Sequence, residues 1–376
     1  LAPDDYARAE RLLGYHTASL VLNAGVRATW LPDGRFWYRT SRPGGPEFIL
    51  VDPARRTKGP AFDHARLASA LSRAAGQTIE VSRLPFQSIE LSADGAHVSF
   101  DTDLKRYTCD VRGASCAAAD RPAVGAEARS PDGKRAVFIR DWNLGLRDLS
   151  TNRETQLTRD GVSDFGYATD NAGWRFSDRP VVKWSPDSRR VATFQMDRRG
   201  VGEMYLVDTS VGRPTLQAWK YPLPGDKIVA MLERVIIDVE KKSTVRLKMR
   251  ADQHRSTVCD DVICGNDWVD VQWRPDGSEL AFVSSSRDHK TATFRLANAT
   301  TGVVRDVMSE HVDTFYESGN GRANWRYLPD TKEIIWFSRR DHWGHLYLYD
   351  ASSGQMKRQM TSGGGNVTPL PQVDEG

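Results

Sequence analysis

One recurring segment limits the folds that this chain can adopt. In its clearest copy, VVKWSPDSRRVATFQMD (Val181 to Asp197), two strand-like runs flank a turn at Ser185 to Ser188. The proline presets φ for a turn corner, and the aspartate can bond its own backbone two residues further on. The six copies are marked by the turn aspartates Asp33, Asp94, Asp132, Asp187, Asp276 and Asp330.

The spacing of these copies predicts a β-propeller. Successive turn aspartates are 61, 38, 55, 89 and 54 residues apart by subtraction, and one propeller blade takes ~40–50 residues. A repeat of this length cannot bury its apolar face alone, so neighbouring copies must stack or close into a ring. A β-sandwich would not need the same turn at blade spacing, and a helical solenoid would need a 3.6-residue period.

We therefore expect an all-β propeller of four-stranded blades, about seven to eight in number, with room for an incomplete last one. The long gap between Asp187 and Asp276 is expected to hold a degenerate blade. Its strands are predicted at Val229 to Val239 and at Thr244 to Met249.

Two segments depart from the strand pattern. Pro3 to Leu20 is predicted to be a helix capped by Asp4 or Asp5. Its apolar stripe consists of Tyr6, Ala9, Leu12 and Leu13. Ala61 to Ala75 is predicted to be a second helix, inserted between blades. We assign residues 1–25 to an N-terminal helical segment and residues 26–376 to the propeller domain.

Composition and motifs exclude several functions. The net charge is +3, from 52 basic and 49 acidic residues, which gives no reason to expect a nucleic acid or an anionic membrane as partner. No run approaches the ~18 apolar residues of a membrane span. The chain has no Gly-x-Ser-x-Gly elbow, no His-Glu-x-x-His motif and no P-loop. We expect no catalytic residues, metal site or cofactor within it.

The four cysteines form two local pairs, Cys109 with Cys116 and Cys259 with Cys264. Both spacings suit a disulfide across a hairpin, which favours an oxidising compartment and hence a periplasmic or secreted location. Zinc binding is the rival interpretation, but the spacing differs from Cys-x-x-Cys. Reduced structural thiols are the remaining alternative.

One irregular segment, SDFGYATDNAGWRFSDRP (Ser163 to Pro180), interrupts the repeats. Function concentrates on loops that a rigid frame holds in place. Polar and aromatic residues are dense there, namely Asp164, Tyr167, Asp170, Trp174 and Asp178. A hydrated surface loop with packed aromatic residues is the structural alternative.

Several segments resemble the propeller half of dipeptidyl peptidase IV-type members of the prolyl oligopeptidase family of serine peptidases. They are YPLPGD at Tyr221, the run NWRYLPDTKEIIWFSRRDHWGHLYLYD, the repeat RSPDGKRAVFIRDWNLGLRDL, and the opening stretches DYARAERLL and WLPDGRFWYR. The resemblance covers essentially the whole chain. It implies an eight-bladed propeller that caps an α/β-hydrolase domain, which follows in sequence and carries the catalytic serine, aspartate and histidine.

The resemblance also implies a site for the amino terminus of the substrate. In the family a glutamate pair within Asp-Trp-x-Tyr-Glu-Glu-Glu holds this group, and the matching stretch here runs from Asp164 to Asp170. The aspartate and tyrosine match at Asp164 and Tyr167, whereas the glutamates are replaced by Ala168, Thr169 and Asp170. The candidate binding residues are therefore Asp170, Thr169, Tyr167 and Asp164, and the loss of the glutamate pair puts strict dipeptide-releasing specificity in doubt.

The expected function is that of a substrate-gating propeller from a secreted or periplasmic serine exopeptidase. Its expected partners are a peptide substrate, the hydrolase domain of the same chain, against which residues 1–25 would pack, and a second copy in a homodimer. This chain alone is expected to be inactive, because it contains no activated nucleophile. The alternative is a stand-alone propeller that binds a protein or peptide partner. A weaker one, a translocation-accessory propeller, rests on fold analogy alone.

Overall fold

The fold is an all-β propeller built from antiparallel sheets. A computed structural model describes residues 2–17, 21–23, 26–92, 94–102, 105–120, 127–169, 179–209, 211–254, 268, 270–317 and 323–367. The chain forms two compact units, Leu1–Val124 and Gly125–Gly376. The described residues form six blades, fewer than the seven to eight expected.

The first unit contains three α-helices and two four-stranded blades. The helices are α1 (Pro3–Glu10), α2 (Gly14–Thr17) and α3 (His64–Ala75), and a short 3-10 helix covers Val81–Arg83. Blade 1 consists of β1 (Thr29–Trp30), β2 (Phe36–Arg42), β3 (Gly45–Asp52) and β4 (Thr57–Pro60). Blade 2 consists of β5 (Glu90–Leu91), β6 (His97–Asp101), β7 (Lys105–Asp110) and β8 (Cys116–Asp120).

The N-terminal helix differs from its prediction. It is divided into α1 and α2 instead of running from Pro3 to Leu20, and Ala2 is its N-cap. Asp5 lies three residues into the helix, and its carboxylate accepts the Ala2 N–H at 3.0 Å. The apolar residues Tyr6, Leu12 and Leu13 are exposed. No helix in the described parts of the chain is both long enough and apolar enough to span a membrane.

The inserted helix α3 closes the core of the first unit. Asp63 caps it by accepting the Arg66 N–H at 3.0 Å, and Gly76 ends it in a left-handed conformation. Leu67 and Leu71 of α3 are fully buried in a core that also contains Phe48, Phe86 and Phe100. The prediction of a helix between blades is confirmed, with its start at His64.

A disulfide joins Cys109 to Cys116, which lie opposite each other on β7 and β8. The hairpin between them presses against α3: a Cβ atom on Gly113 would lie 2.4 Å from Arg66 Cβ, and Gly113 has a φ of +73°. Cys259 and Cys264 lie outside the described residues, so their pairing stays a prediction.

The second unit contains four blades and one separate hairpin. Blade 3 consists of β9 (Glu127–Arg129), β10 (Arg135–Arg140), β11 (Asn143–Asp148) and β12 (Glu154–Gln156). Blade 5 consists of β21 (Val271–Trp273), β22 (Glu279–Ser285), β23 (Thr291–Asn298) and β24 (Val304–His311). Blade 6 consists of β25 (Trp325–Leu328), β26 (Glu333–Asp341), β27 (Trp343–Asp350) and β28 (Met356–Gln359).

Blade 4 explains the long gap in the repeat. Its segments are β13 (Phe165–Tyr167), β14 (Lys183–Trp184), β15 (Arg190–Asp197), β18 (Met231–Asp238), β19 (Ser243–Arg246) and β20 (Asp252–Gln253). β13 and β14 both pair with β15, and β19 and β20 both pair with β18, so the first and fourth strands are each in two pieces.

The prediction of a degenerate blade in this gap is therefore wrong. The strands expected at Val229 to Val239 and Thr244 to Met249 exist as β18 and β19, but they complete blade 4. The extra length comes mainly from a separate hairpin of β16 (Glu203–Asp208) and β17 (Thr215–Lys220), which lies between the second and third strands. Sequence spacing cannot distinguish an inserted hairpin from an inserted blade.

Each repeated turn aspartate lies between the first and second strands of one blade, as the repeat predicts. In the turn of blade 4, Ser185 Oγ donates to Asp187 and accepts the Arg190 N–H at 2.9 Å. Asp187 Oδ1 also accepts the Arg189 N–H at 3.1 Å. These short-range bonds form within the turn itself, which is why the motif recurs at every blade.

Burial should decide how much such a turn contributes to stability. Ser185 is fully buried, whereas Ser286 makes the corresponding bonds, to Asp288 and from the Thr291 N–H, in a partly exposed turn. We expect Ser185→Ala to lower the free energy of unfolding by about 1–3 kcal/mol, because the Arg190 amide loses its partner in a buried setting.

The matched control is Ser286→Ala, for which water can replace the hydroxyl, and we expect a loss below about 1 kcal/mol. Urea unfolding of both variants measures the difference. Equal losses would contradict burial as the deciding factor.

Candidate functional site

The irregular segment singled out in the sequence leaves blade 4 from its first strand. Tyr167 of β13 lies opposite Gln195, and Lys183 of β14 lies opposite Ala192, so the first strand of blade 4 is interrupted between Tyr167 and Lys183. The predicted segment, Ser163 to Pro180, contains β13, so its predicted start is several residues too early. The residues between Tyr167 and Lys183 are called the insertion below.

The two ends of the insertion are joined by backbone hydrogen bonds. The Ala168 N–H donates to Phe194 O at 2.9 Å, and the Val181 N–H donates to Ala168 O at 2.9 Å. Thr193 Oγ1 donates to Val181 O at 2.8 Å. We call Tyr167, Ala168 and Val181 the neck of the insertion. Ala168 has a φ of +54°, a left-handed conformation uncommon for a non-glycine residue, so the chain turns sharply there.

Tyr167 is held by polar contacts as well as by packing. Its side chain is 1% exposed, and its hydroxyl donates to Asp160 Oδ1 at 2.8 Å. The same hydroxyl accepts from Arg246 Nη2 at 3.1 Å. Burial, followed by the hydrogen bond to Asp160, raises the pKa of the Tyr167 hydroxyl. The side chain is thus a neutral anchor for the neck.

Arg246 was not predicted as a site residue, yet it contacts Tyr167, Gln195 and Glu233 on three strands and Asp160 in the loop after β12. Its Nη2 atom also donates to Asp160 Oδ2 at 2.9 Å and to Gln195 Oε1 at 2.6 Å, and its Nη1 atom donates to Glu233 Oε2 at 2.8 Å. In the sequence it is a charged residue on a predicted strand, which is ordinary for a solvated face. No spacing pattern places it beside Tyr167.

A second ion pair fixes the other end of β13. Arg198 Nη2 lies 3.2 Å from Asp164 Oδ1, and the Arg198 N–H donates to Asp164 O at 2.7 Å. Asp164 has a φ of +62°, which aspartate tolerates better than most residues. The predicted site residue Asp164 is therefore engaged with a largely buried arginine.

The other predicted site residues fall into two groups. Thr169 is buried, directly after the neck. The candidate binding residue Asp170 lies outside the described residues, as do Trp174 and Asp178. The structure thus brings Asp164, Tyr167 and Thr169 together at the base of the insertion.

A buried histidine lies close to the Arg198 side of this site. Burial, reinforced by the positive charges of Arg287 and Arg198, lowers the pKa of His254 to about 4. The Arg287 guanidinium donates to His254 O at 2.9 Å. This region therefore concentrates positive charge around a neutral imidazole. Within the described residues, no group of three or more histidine, cysteine, aspartate or glutamate side chains is arranged to hold a metal ion.

Residues 96–376, well over half of the chain, match the family described as the dipeptidyl peptidase IV (DPP IV) N-terminal region. The chain belongs to this family. Among curated proteins, the chain is 24% identical over 275 residues to an Aspergillus clavatus protein named "Probable dipeptidyl-aminopeptidase B", covering 64% of the chain and 28% of that protein. The Aspergillus terreus protein of the same name is 34% identical over 101 residues, covering 26% of the chain and 10% of that protein.

A solved structure shares the fold. The crystal structure of Porphyromonas gingivalis dipeptidyl peptidase 4 matches with a TM-score of 0.60 and 20% identity, over 97% of this chain and 50% of that chain. The chain thus spans about half the length of that structure and matches about a quarter of the first curated relative.

The buried imidazole predicts a pH dependence of stability. The pKa of His254 is about 4 in the folded chain, below the ordinary value of about 6.5, so the unfolded chain binds the proton more readily. The contribution of His254 to stability is therefore complete above about pH 6.5 and is lost as the pH falls toward 4.

Within that window the free energy of unfolding should fall by up to about 1.4 kcal/mol per pH unit for this one proton. Urea unfolding at a series of pH values measures it. His254→Gln should flatten the profile between pH 6.5 and 4, and the control His311→Gln, at an exposed side chain, should leave it unchanged. A profile that does not respond to His254→Gln would contradict the assignment.

Proposed function

We propose that this chain is the substrate-gating propeller of a secreted or periplasmic serine exopeptidase of the dipeptidyl peptidase IV type. In this proposal a hydrolase domain outside these 376 residues supplies the nucleophile, and the blades admit peptides while excluding folded proteins. Family membership over residues 96–376 supports it, as does the greater length of the relatives.

The observation that carries the proposal is the anchoring of the insertion. A loop that recognises a peptide must hold its polar groups in a fixed position, because ordering a free loop on binding costs affinity. Here the insertion starts directly after β13, which is tied at one end by the Asp164–Arg198 ion pair and at the other by the Tyr167 hydroxyl. These contacts pre-organise the segment that matches the amine-binding stretch of the family.

Asp170 is the proposed partner of the peptide ammonium group. An ammonium group removed from water needs a compensating negative charge and hydrogen-bond acceptors. Asp164 is already paired with Arg198, and the Tyr167 hydroxyl already donates to Asp160. Asp170 is thus the remaining carboxylate of the matching stretch.

Location in an oxidising compartment is part of the proposal. Disulfides form and persist in the periplasm and in secreted proteins, and they are rare in the cytosol. The Cys109–Cys116 disulfide across β7 and β8 supports such a location.

The test uses the longer protein that contains this chain. Asp170→Asn should lower kcat/KM for peptides with a free amino terminus by about ten- to hundredfold, because a charge-assisted hydrogen bond is worth roughly 1.5–3 kcal/mol. Cleavage of amino-blocked peptides should barely change.

The control is Asp313→Asn, at a fully exposed carboxylate, which should affect neither substrate. Equal losses on both substrates would make Asp170 structural. No loss on either would mean that the amine is recognised elsewhere, and the enzyme would then be an oligopeptidase.

Homodimerisation through the β16–β17 hairpin is a second proposal, and exposed apolar side chains support it. Tyr205, Val207 and Leu216 are 61%, 55% and 64% exposed on a two-stranded sheet. Exposed strand edges and apolar faces of this kind mark association surfaces.

Val207→Asp should convert a dimer to a monomer in sedimentation experiments. Val303→Asp, at a valine that is 51% exposed outside the hairpin, is the matched control, and a wild-type monomer would refute the proposal.

A further inference from the structure

We propose that Arg246, on the outermost strand of blade 4, is a positioning residue that fixes the neck of the insertion and thereby the peptide-binding geometry. The expected effect of Arg246 on catalysis rests on the proposed function. Its expected effect on the neck rests only on contacts between described residues.

The guanidinium group of Arg246 contacts several strands of blade 4. Arg246 lies on β19, its Nη1 atom donates to Glu233 on β18, and its Nη2 atom donates to Gln195 on β15 and to Tyr167 on β13. A single side chain therefore contacts all the other strand positions of blade 4. Arginine suits this role because its planar group presents donors in several fixed directions at once.

Arg246 and Tyr167 also link blade 4 to the preceding blade. Arg246 Nη2 and the Tyr167 hydroxyl each contact one oxygen of Asp160, which follows the last strand of blade 3. The Tyr167 N–H also donates to Trp142 O, in the turn between β10 and β11 of blade 3, at 2.9 Å. The neck is thus held where two blades meet.

The side chains that Arg246 contacts lie beside the start of the insertion. Tyr167 is the last residue before the insertion, and Gln195 Nε2 donates to Phe165 O on the same strand at 3.1 Å. Arg246 orients both side chains through their oxygen atoms. Loss of the guanidinium would leave Asp160 and Glu233 without this cation and would remove one hydrogen bond each from Gln195 Oε1 and the Tyr167 hydroxyl.

The structural test is hydrogen–deuterium exchange on the 376-residue chain. The reporters are the backbone amides of Tyr167, Ala168 and Val181, which donate to Trp142, Phe194 and Ala168. In Arg246→Met these amides should exchange about tenfold faster or more, the effect of losing one charge-assisted hydrogen bond. Arg246→Lys should show an intermediate rate, because one ammonium group cannot reach both Glu233 and the Asp160 side.

The matched control is Arg140→Met. Arg140 forms a two-point ion pair with Glu154 on blade 3, at 2.7 and 3.2 Å. The substitution therefore removes an ion pair but no contact of the neck residues. Unchanged exchange at the neck in Arg246→Met would overturn the proposal, and so would the same acceleration in both variants. In a double-mutant cycle, the losses in free energy of unfolding caused by Arg246→Met and Tyr167→Phe should be non-additive. Additive losses would overturn the direct link between the two side chains.

The catalytic test separates this inference from the proposed function. In the longer protein, Arg246→Met should raise KM for free-amine peptides about tenfold with kcat unchanged, and Arg246→Lys should restore part of the loss. If Asp170→Asn weakens these substrates and Arg246→Met does not, the positioning role is wrong. If Arg246→Met loosens the neck but Asp170→Asn has no effect, the amine-binding function fails and the structural role of Arg246 stands.

Discussion

Every blade in the second unit depends on its neighbour to bury its apolar side chains. In β15, Ala192, Phe194 and Met196 pack into the core shared with blade 5, whereas Val191 packs into the core shared with blade 3. β18 divides in the same way, with Leu232 and Ile236 on one face and Val235 and Ile237 on the other. Because strand side chains alternate between faces, each of these two strands serves two cores, and blade 4 removed from its neighbours would expose both.

This double-sided burial makes polar contacts between blades costly unless they are fully paired. Asp252 of blade 4 meets this condition: it lies 2.8 Å from Arg234 of its own blade and 3.2 Å from Arg295 of blade 5, and it accepts from Ser284 at 2.8 Å. Aromatic rings of Trp268 and Phe282 cover the Arg234 guanidinium. Ion clusters of this kind thus fix the alignment of neighbouring sheets. Apolar packing alone specifies that alignment less tightly.

The candidate site uses the same frame. When a strand with two buried faces is interrupted, the loss of stability is small if both pieces stay paired with the next strand. β13 and β14 both stay paired with β15. The insertion between them then starts from a rigid base. Arg246, Asp160 and Arg198 add charge-assisted contacts to that base.

Local patterns in the sequence determined the elements of this fold. The repeated turn forms through bonds within a few residues, as at Ser185 and Asp187, so its six copies located six blades, and the helix predicted at Ala61 to Ala75 corresponds to α3. The family resemblance was likewise readable from short motifs and agrees with the match over residues 96–376. The tertiary structure alone decided that β18 and β19 belong to blade 4, since strand pairing links residues far apart in sequence. It also decided that Arg246 meets Tyr167 and Asp160, because side-chain contacts between strands depend on register and blade packing, which no local pattern encodes.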